Sequence, residues 1–382
     1  MSQDNEPVLL AVDQEEPEDS VQGDSQSEIG SSVASSSTSL RESILEYRQE
    51  NGRTYHRYKD GTYIIPNDDR ELERLDLTHS MWLLVTDNNL GVAPPCQPGA
   101  KVGRVLDVGT GSGIWALDFG DEHPESEASI PSAQLHTDNC IIKRGTRNVP
   151  PNVRFEVDDA EDPWLYSRPF QYIHSRVITS GISSWANYLK KCYDNLEPGG
   201  WVELQEIDLA PTSDDGTLKP DSALLRWAAL LQEASEKFGR PFAKVPPLKD
   251  VMVEAGFADV QMTVTKWPSN SWPKEHKWKE IGIWNCENML TGLEGFSMAA
   301  LTRGHDWSRS EVEVFLMEVR KDIKDKNIHA YWPVFYITGR KPEKEDSVPP
   351  DPVSPEAAAP AEAATSPSEP AAANSPQPAA AT

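Results

Sequence analysis

Residues 105–115 read VLDVGTGSGIW, and the fold follows from how that stretch is built. Val102, Val105, Leu106 and Val108 make an apolar run of the kind that fills a buried parallel strand. The run delivers an acid, Asp107, into a loop of Gly109, Gly111 and Gly113, with Thr110 between the first two glycines. Ile114, Trp115, Ala116, Leu117 and Phe119 then supply the apolar positions of a helix. Glycine is needed in such a loop because the chain turns sharply and a ligand must come within contact distance of bare backbone amides. Amides at a helix N-terminus bind an anionic group.

The spacing separates two kinds of site. A dinucleotide fingerprint is G-x-G-x-x-G, with a small third residue packing helix on strand. That third position is Ile114 here, and the pattern present is D-x-G-x-G-x-G.

Composition narrows the field. The 382 residues carry 61 acids against 36 Lys and Arg, a net charge of −25. Binding to a phosphate backbone relies on clustered basic side chains that the sequence lacks, so direct nucleic-acid binding is not expected. No apolar run reaches membrane-spanning length and no cleavable signal pattern opens the chain, so the expected setting is soluble and intracellular, in nucleus or cytoplasm. Cys96, Cys140, Cys192 and Cys286 show neither metal-site nor C-x-x-C spacing, so no structural metal is expected. Residues 1–40 hold no Lys or Arg and include a Ser-rich run, and 341–382 are mostly Pro, Ala, Ser and Glu. Both read as disordered tails. Between them, 41–100 reads as an N-terminal cap and linker, and 101–340 as the main domain with a helical insertion at 265–331.

Taken in order, 41–50 reads as a helix and 50–65 as a short hairpin turning at Asp60 and Gly61. Asn67, Asp68 and Asp69 open a helix that places Asp76 and His79 one turn apart. After the glycine unit a second strand is due, ending in a carboxylate for ribose hydroxyls. The candidate is 133–138, AQLHTD, with Asp138 as the ligand. A third strand, 153–157, runs into VDDAEDPW, where Asp159 and the Ala160 amide suit an adenine edge, although acids also cap helices there. The fourth strand, 170–175, ends near His174, which points either to the ligand crevice or into the core. A helix over 185–196 stops at Glu197-Pro198-Gly199-Gly200 and a strand follows, with Glu203 and Glu206 facing either the site or solvent. Helices at 220–238 and 248–255 precede a strand at 260–264. The insertion 266–331, with five tryptophans (Trp267, Trp272, Trp278, Trp284, Trp307) and helices at 275–290 and 310–326, is placed to roof the site before a last strand at 334–337.

With those residues in place the chain resembles the fungal LaeA-like methyltransferases, the group named for a global regulator of secondary metabolism. The acid-plus-glycines loop resembles motif I of class I methyltransferases. ENGRTYH (50–56), RLDLTH (74–79), VRFEVDDAEDPW (153–164), FQYIHSR (170–176), LEPGGWVELQEID (196–208) and IHAY (328–331) resemble family blocks in the same order. The resemblance implies an α/β fold, the Rossmann-like class I sheet of seven mostly parallel strands with helices on both faces and a reversed last strand. It implies S-adenosyl-L-methionine as cofactor. Asp107, Gly109, Gly111 and Gly113 would hold its methionine part, Asp159 and Ala160 its adenine, and Tyr55 and His79 would cap it. The sequence departs from the family at 126–148, where a Ser-Pro-Ile-Gln-Pro-like turn is missing, so either a local insertion moves the ribose acid to Asp138 or the gene model is wrong in this stretch.

Methyl transfer needs alignment and exclusion of water, plus a base when the acceptor is an alcohol or phenol. His174 and His79 are the candidate bases. Three functions fit: a methyltransferase with a small-molecule or protein acceptor, a partner of velvet-type regulators in a nuclear complex, or a cluster enzyme methylating one natural product in the cytoplasm.

Overall fold

The computed structural model describes residues 10, 47–56, 64–131, 149–156 and 159–343. The expected tails fall outside these residues except for Leu10 and residues 341–343. The elements in chain order are β1 (Tyr47–Glu50), β2 (Arg53–His56), α1 (Asp69–Val85), β3 (Arg104–Val108), α2 (Ile114–Glu122), β4 (Glu127–Pro131), β5 (Val153–Glu156) and β6 (Phe170–Arg176). They continue with α3 (Trp185–Asn195), β7 (Leu196–Ile207), α4 (Ala223–Lys237), α5 (Leu248–Glu254), β8 (Ala258–Pro268), α6 (His276–His305), α7 (Arg309–Lys324) and β9 (Tyr331–Arg340).

Strands β3 to β9 form one seven-stranded sheet in the order β5-β4-β3-β6-β7-β9-β8, with β9 antiparallel to both neighbours. The order reverses between β3 and β6, the switch point where open α/β sheets leave a crevice at the strand ends. Alternation along the strands feeds both faces. Leu106 and Ile173 join the core under α3 and α5, while Val105 and Tyr172 join the one under α2. A third core gathers α4, α6 and α7 around Trp227, Leu293 and Leu316. The helix starts follow from side-chain caps: Asp68, Ser184 and Ser222 each accept from an amide in the first turn, and Ser308 with Glu311 forms a capping box.

Three local expectations are corrected. Residues 47–50 are strand, not helix, because β1 pairs with β2; 41–46 lie outside the described residues. A hairpin joins β1 to β2 at Asn51 and Gly52, both at positive φ (53° and 82°), the chemistry of a primed two-residue turn, while the expected turn at Asp60 and Gly61 lies outside the described residues. The second strand is Glu127–Pro131, paired with β3 and β5, rather than 133–138. Asp138 lies outside the described residues. Helix α6 runs 30 residues, about 45 Å of rod, where 275–290 was expected. It packs against α1, α4, α7 and β8, so the N-terminal cap and the insertion meet over the sheet.

Candidate active site

The glycine loop is built as its sequence demands. Gly109, Gly111 and Gly113 lie at φ of 75°, 59° and 79°, and Gly113 is the residue before α2. A side chain at Gly109 would come 2.5 Å from Ile178 Cγ2, so the loop excludes one sterically as well as conformationally. Asp107 and His174 are register partners on β3 and β6. His174 donates Nδ1–H to Asp107 Oδ1 at 2.7 Å, the tautomer a neighbouring carboxylate selects. The imidazole is fully buried and stacks on Trp115, with centroids 3.8 Å apart and planes 6° from parallel.

Around this loop several buried polar atoms have no partner: Asp107 Oδ2, His174 Nε2, Thr110 Oγ1 and Ser112 Oγ. Buried polar groups are normally paired, so an unsatisfied ring beside a helix N-terminus and a left-handed loop fits a zwitterionic head group. The loop forms the floor of a cavity of about 240 Å³. Its far wall is apolar, with Trp227, Leu231, Phe242, Met289, Phe296 and Trp332.

The structure brings Asp107, Gly109, Thr110, Gly111, His79 and His174 together on this cavity. Gly113 stands behind them at the start of α2. Tyr55 does not reach the cavity; it is buried among α4, α6 and α7 residues beneath Arg303, and burial pushes its phenol up to about 12. Asp159 and Ala160 also stand outside the lining. Asp159 accepts the Glu161 amide (2.9 Å), and Ala160 O receives Trp164 Nε1 (3.2 Å) and Lys191 Nζ (3.0 Å).

His79 is placed at the cavity but not as a free base. Its Nε2 meets Asp118 Oδ2 and its Nδ1 accepts from Arg176 Nη1, both at 2.9 Å. Burial first, then Arg176, hold its pKa below the usual histidine value, outweighing Asp118. The ring is neutral with both nitrogens engaged. Glu203 and Glu206 correct the choice between site and solvent, since both are fully buried and serve backbone amides. Glu203 accepts from Val92 and Ala93 in the linker, and Glu206 accepts from Ile178 after β6. Of the five insertion tryptophans, Trp267 lines the cavity, Trp272 is buried elsewhere and Trp284 faces outward.

Two features escaped the sequence reading. Arg176, one residue past Ser175 in FQYIHSR, lines the cavity. Its available signal was a cation at the C-terminal end of a central strand. Asn285 and Asn288 on α6 form a buried polar spine to α1: Asn288 Oδ1 accepts from Arg74 Nη1 (2.7 Å) and Thr78 Oγ1 (2.9 Å), and Arg74 pairs with Glu71 (2.6 Å). Two amides three residues apart on the inner side of a lid helix are an informative pattern. Val177 adds local strain at the rim. It is β-branched at φ 53°, held by its amide to Gln205 O at 2.8 Å.

Among the described residues there is no cluster of three or more metal-ligating side chains, and no helix long and apolar enough to cross a membrane.

Comparison with known proteins agrees with this geometry. A family profile described as "Methyltransferase domain" matches residues 87–262. Methyltransferase pytC of Aspergillus terreus is 38% identical over 308 residues, covering 81% of this chain and 92% of that one. Probable methyltransferase tdiE of Emericella nidulans is 33% identical, covering 79% and 92%. Secondary metabolism regulator laeA of Monascus pilosus is 32% identical, covering 77% and 78%. The chain belongs to the LaeA-like family of fungal secondary-metabolism methyltransferases.

Proposed function

We propose that this protein transfers a methyl group from S-adenosylmethionine to an apolar small-molecule acceptor of fungal secondary metabolism. The observation that carries the reading is the cavity that joins the glycine loop to an aromatic wall. Bound there, the cofactor supplies a methyl group already activated by its sulfonium. Asp107 and the loop amides hold its amino-acid head. Asp159, Ala160 and Asp138 are proposed for the nucleoside end.

The chain's own part is alignment and drying. Transfer is an in-line displacement, and a cavity roofed by Leu72, Leu75, Met289 and Phe296 keeps water from competing. For an acceptor that must lose a proton, His174 is the receiving group, since Asp107 fixes Nδ1–H and leaves the lone pair on Nε2.

Calorimetry with S-adenosylmethionine and S-adenosylhomocysteine on the full chain tests the reading. Micromolar binding, about 8 kcal/mol, that vanishes in Gly111→Arg is expected. No binding by folded wild type overturns it.

Likeness to a protein described as a secondary metabolism regulator favours a second reading. There the chain acts in the nucleus as a partner of velvet-type regulators, with catalysis secondary. A pull-down from fungal extract recovers a transcriptional regulator under this reading; recovering none counts against it.

A further inference from the structure

Two arginines line the cavity, and the difference between them bears on the acceptor. Arg74 is neutralised: it bonds both Glu71 oxygens and Asn288. Arg176 bonds neutral groups. Its Nε donates to Gln205 Oε1 (2.7 Å), Nη1 to His79 Nδ1 (2.9 Å) and Nη2 to Leu90 O (3.4 Å). These contacts use three of the five N–H donors a guanidinium carries. The acids whose field reaches it, Asp107 and Glu203, each hold other groups, though Asp107 keeps Oδ2 open. Asp107 serves His174, and Glu203 serves two linker amides, the Tyr172 hydroxyl and the Gln205 amide. Among the described residues no carboxylate stands at ion-pair distance from Arg176. The guanidinium is half-buried over the Trp82 ring (5.0 Å) with no paired anion, and burial pulls its pKa down to about 10.

We infer, building on the methyl-transfer reading above, that Arg176 receives the carboxylate of an apolar organic acid and that the product is a methyl ester. The acid's hydrocarbon body would lie against Trp227, Phe242, Met289 and Trp332. In the transfer, a carboxylate oxygen gives a lone pair to the methyl carbon, a C–O bond forms and the C–S bond breaks. The pair from the broken bond stays on sulfur, so carboxylate and sulfonium become neutral ester and neutral thioether. No proton moves, so the transfer needs neither His79, whose nitrogens are both engaged, nor the open Nε2 of His174. Of the cavity's own acids, Glu71 is held by Arg74 and Asp208 accepts the Val245 amide (3.0 Å), while Asp107 bonds His174 through Oδ1 and keeps Oδ2 for the cofactor's head group.

The test uses the full chain, S-adenosylmethionine tritiated in its methyl group and a lipophilic extract of a fungal culture. Small molecules whose label is released by alkali as volatile methanol are expected. Alkali-stable label overturns the ester and leaves methyl transfer standing. No label in any small molecule fails the methyl-transfer reading, and the ester with it.

A binding experiment reads Arg176 directly, through quenching of the cavity tryptophans by naphthoate and naphthol. Arg176→Gln is expected to weaken naphthoate about ten- to hundred-fold, leaving naphthol and S-adenosylhomocysteine unchanged. Wild type binding naphthoate no better than naphthol overturns the inference. So does an Arg176→Gln protein that weakens S-adenosylhomocysteine but not methylthioadenosine, which lacks the amino-acid carboxylate. If Arg176→Gln melts far below wild type, Arg176→Lys keeps the charge without the fork and should show an intermediate loss.

Discussion

Asp107 and His174 meet across two neighbouring strands, Oδ1 to Nδ1 at 2.7 Å, with the imidazole sealed between β6 and Trp115. The contact locks the aspartate's orientation before any ligand arrives. Asp107→Asn removes the charge while keeping the shape. Cofactor affinity should fall about tenfold or more, the worth of a charged hydrogen bond. Calorimetry checks it, and unchanged affinity would show that Asp107 only supports the histidine.

Gly109→Ala puts a methyl 2.5 Å from Ile178 Cγ2 and an L-residue at φ 75°. The backbone cost is about 1–3 kcal/mol, read as a lower urea midpoint. Cofactor binding should fall further than stability does, because the loop that moves is the binding loop. A variant as stable and as tightly binding as wild type would refute the close approach.

Arg74→Ala leaves Glu71 buried at 3% exposure without its cation. Breaking one side of a buried pair costs about 3–5 kcal/mol. Glu71→Leu with Arg74→Met should recover most of that loss, since both charges go together. Urea unfolding of the single and double variants decides it.

Glu206 gives the chain a pH dependence of defined sign. Burial raises its carboxyl from 4.5 to about 8, outweighing the amides of Ile178 and Thr179. Between those values the unfolded chain has released the proton and the folded chain holds it, so stability falls as pH rises through the window. Glu206→Gln keeps an acceptor for the amides and removes the titration. Its melting temperature should match wild type at about pH 5 and exceed it at about pH 8. A parallel fall in both proteins would remove Glu206 as the cause.

Much of this was legible because the signals are local. The glycine loop, the Asp68 cap and the Pro198-Gly199-Gly200 junction depend on neighbours within a few residues. What failed needed distant partners. The turn at Asn51-Gly52 is fixed by distant partners, Arg53 on Asp68 and Arg303 on Glu50. EASIP is a poor strand by propensity, yet it runs between β3 and β5 and buries Ala128. Helix α6 carries Gly282, Gly292, Gly295 and Gly304, which weaken its apparent helicity. Gly282 is required, because a side chain there would come 2.0 Å from the Asn270 backbone carbonyl. Glu203 could be read only as facing the site or solvent, because nothing nearby in sequence shows that Val92 and Ala93, over a hundred residues earlier, need an acceptor.

The meeting of α1 with α6 has a further consequence. The floor is encoded by short segments around residues 105–115 and 174–180, whereas the roof comes from residues 64–82 and 285–296, outside the profile match at 87–262. Substitutions in the roof can reshape the cavity without disturbing a glycine of the loop at 109–113. A lineage built this way can keep one reaction while changing its substrates, and a protein trimmed to the matched segment would keep the floor and part of the wall but lose the roof.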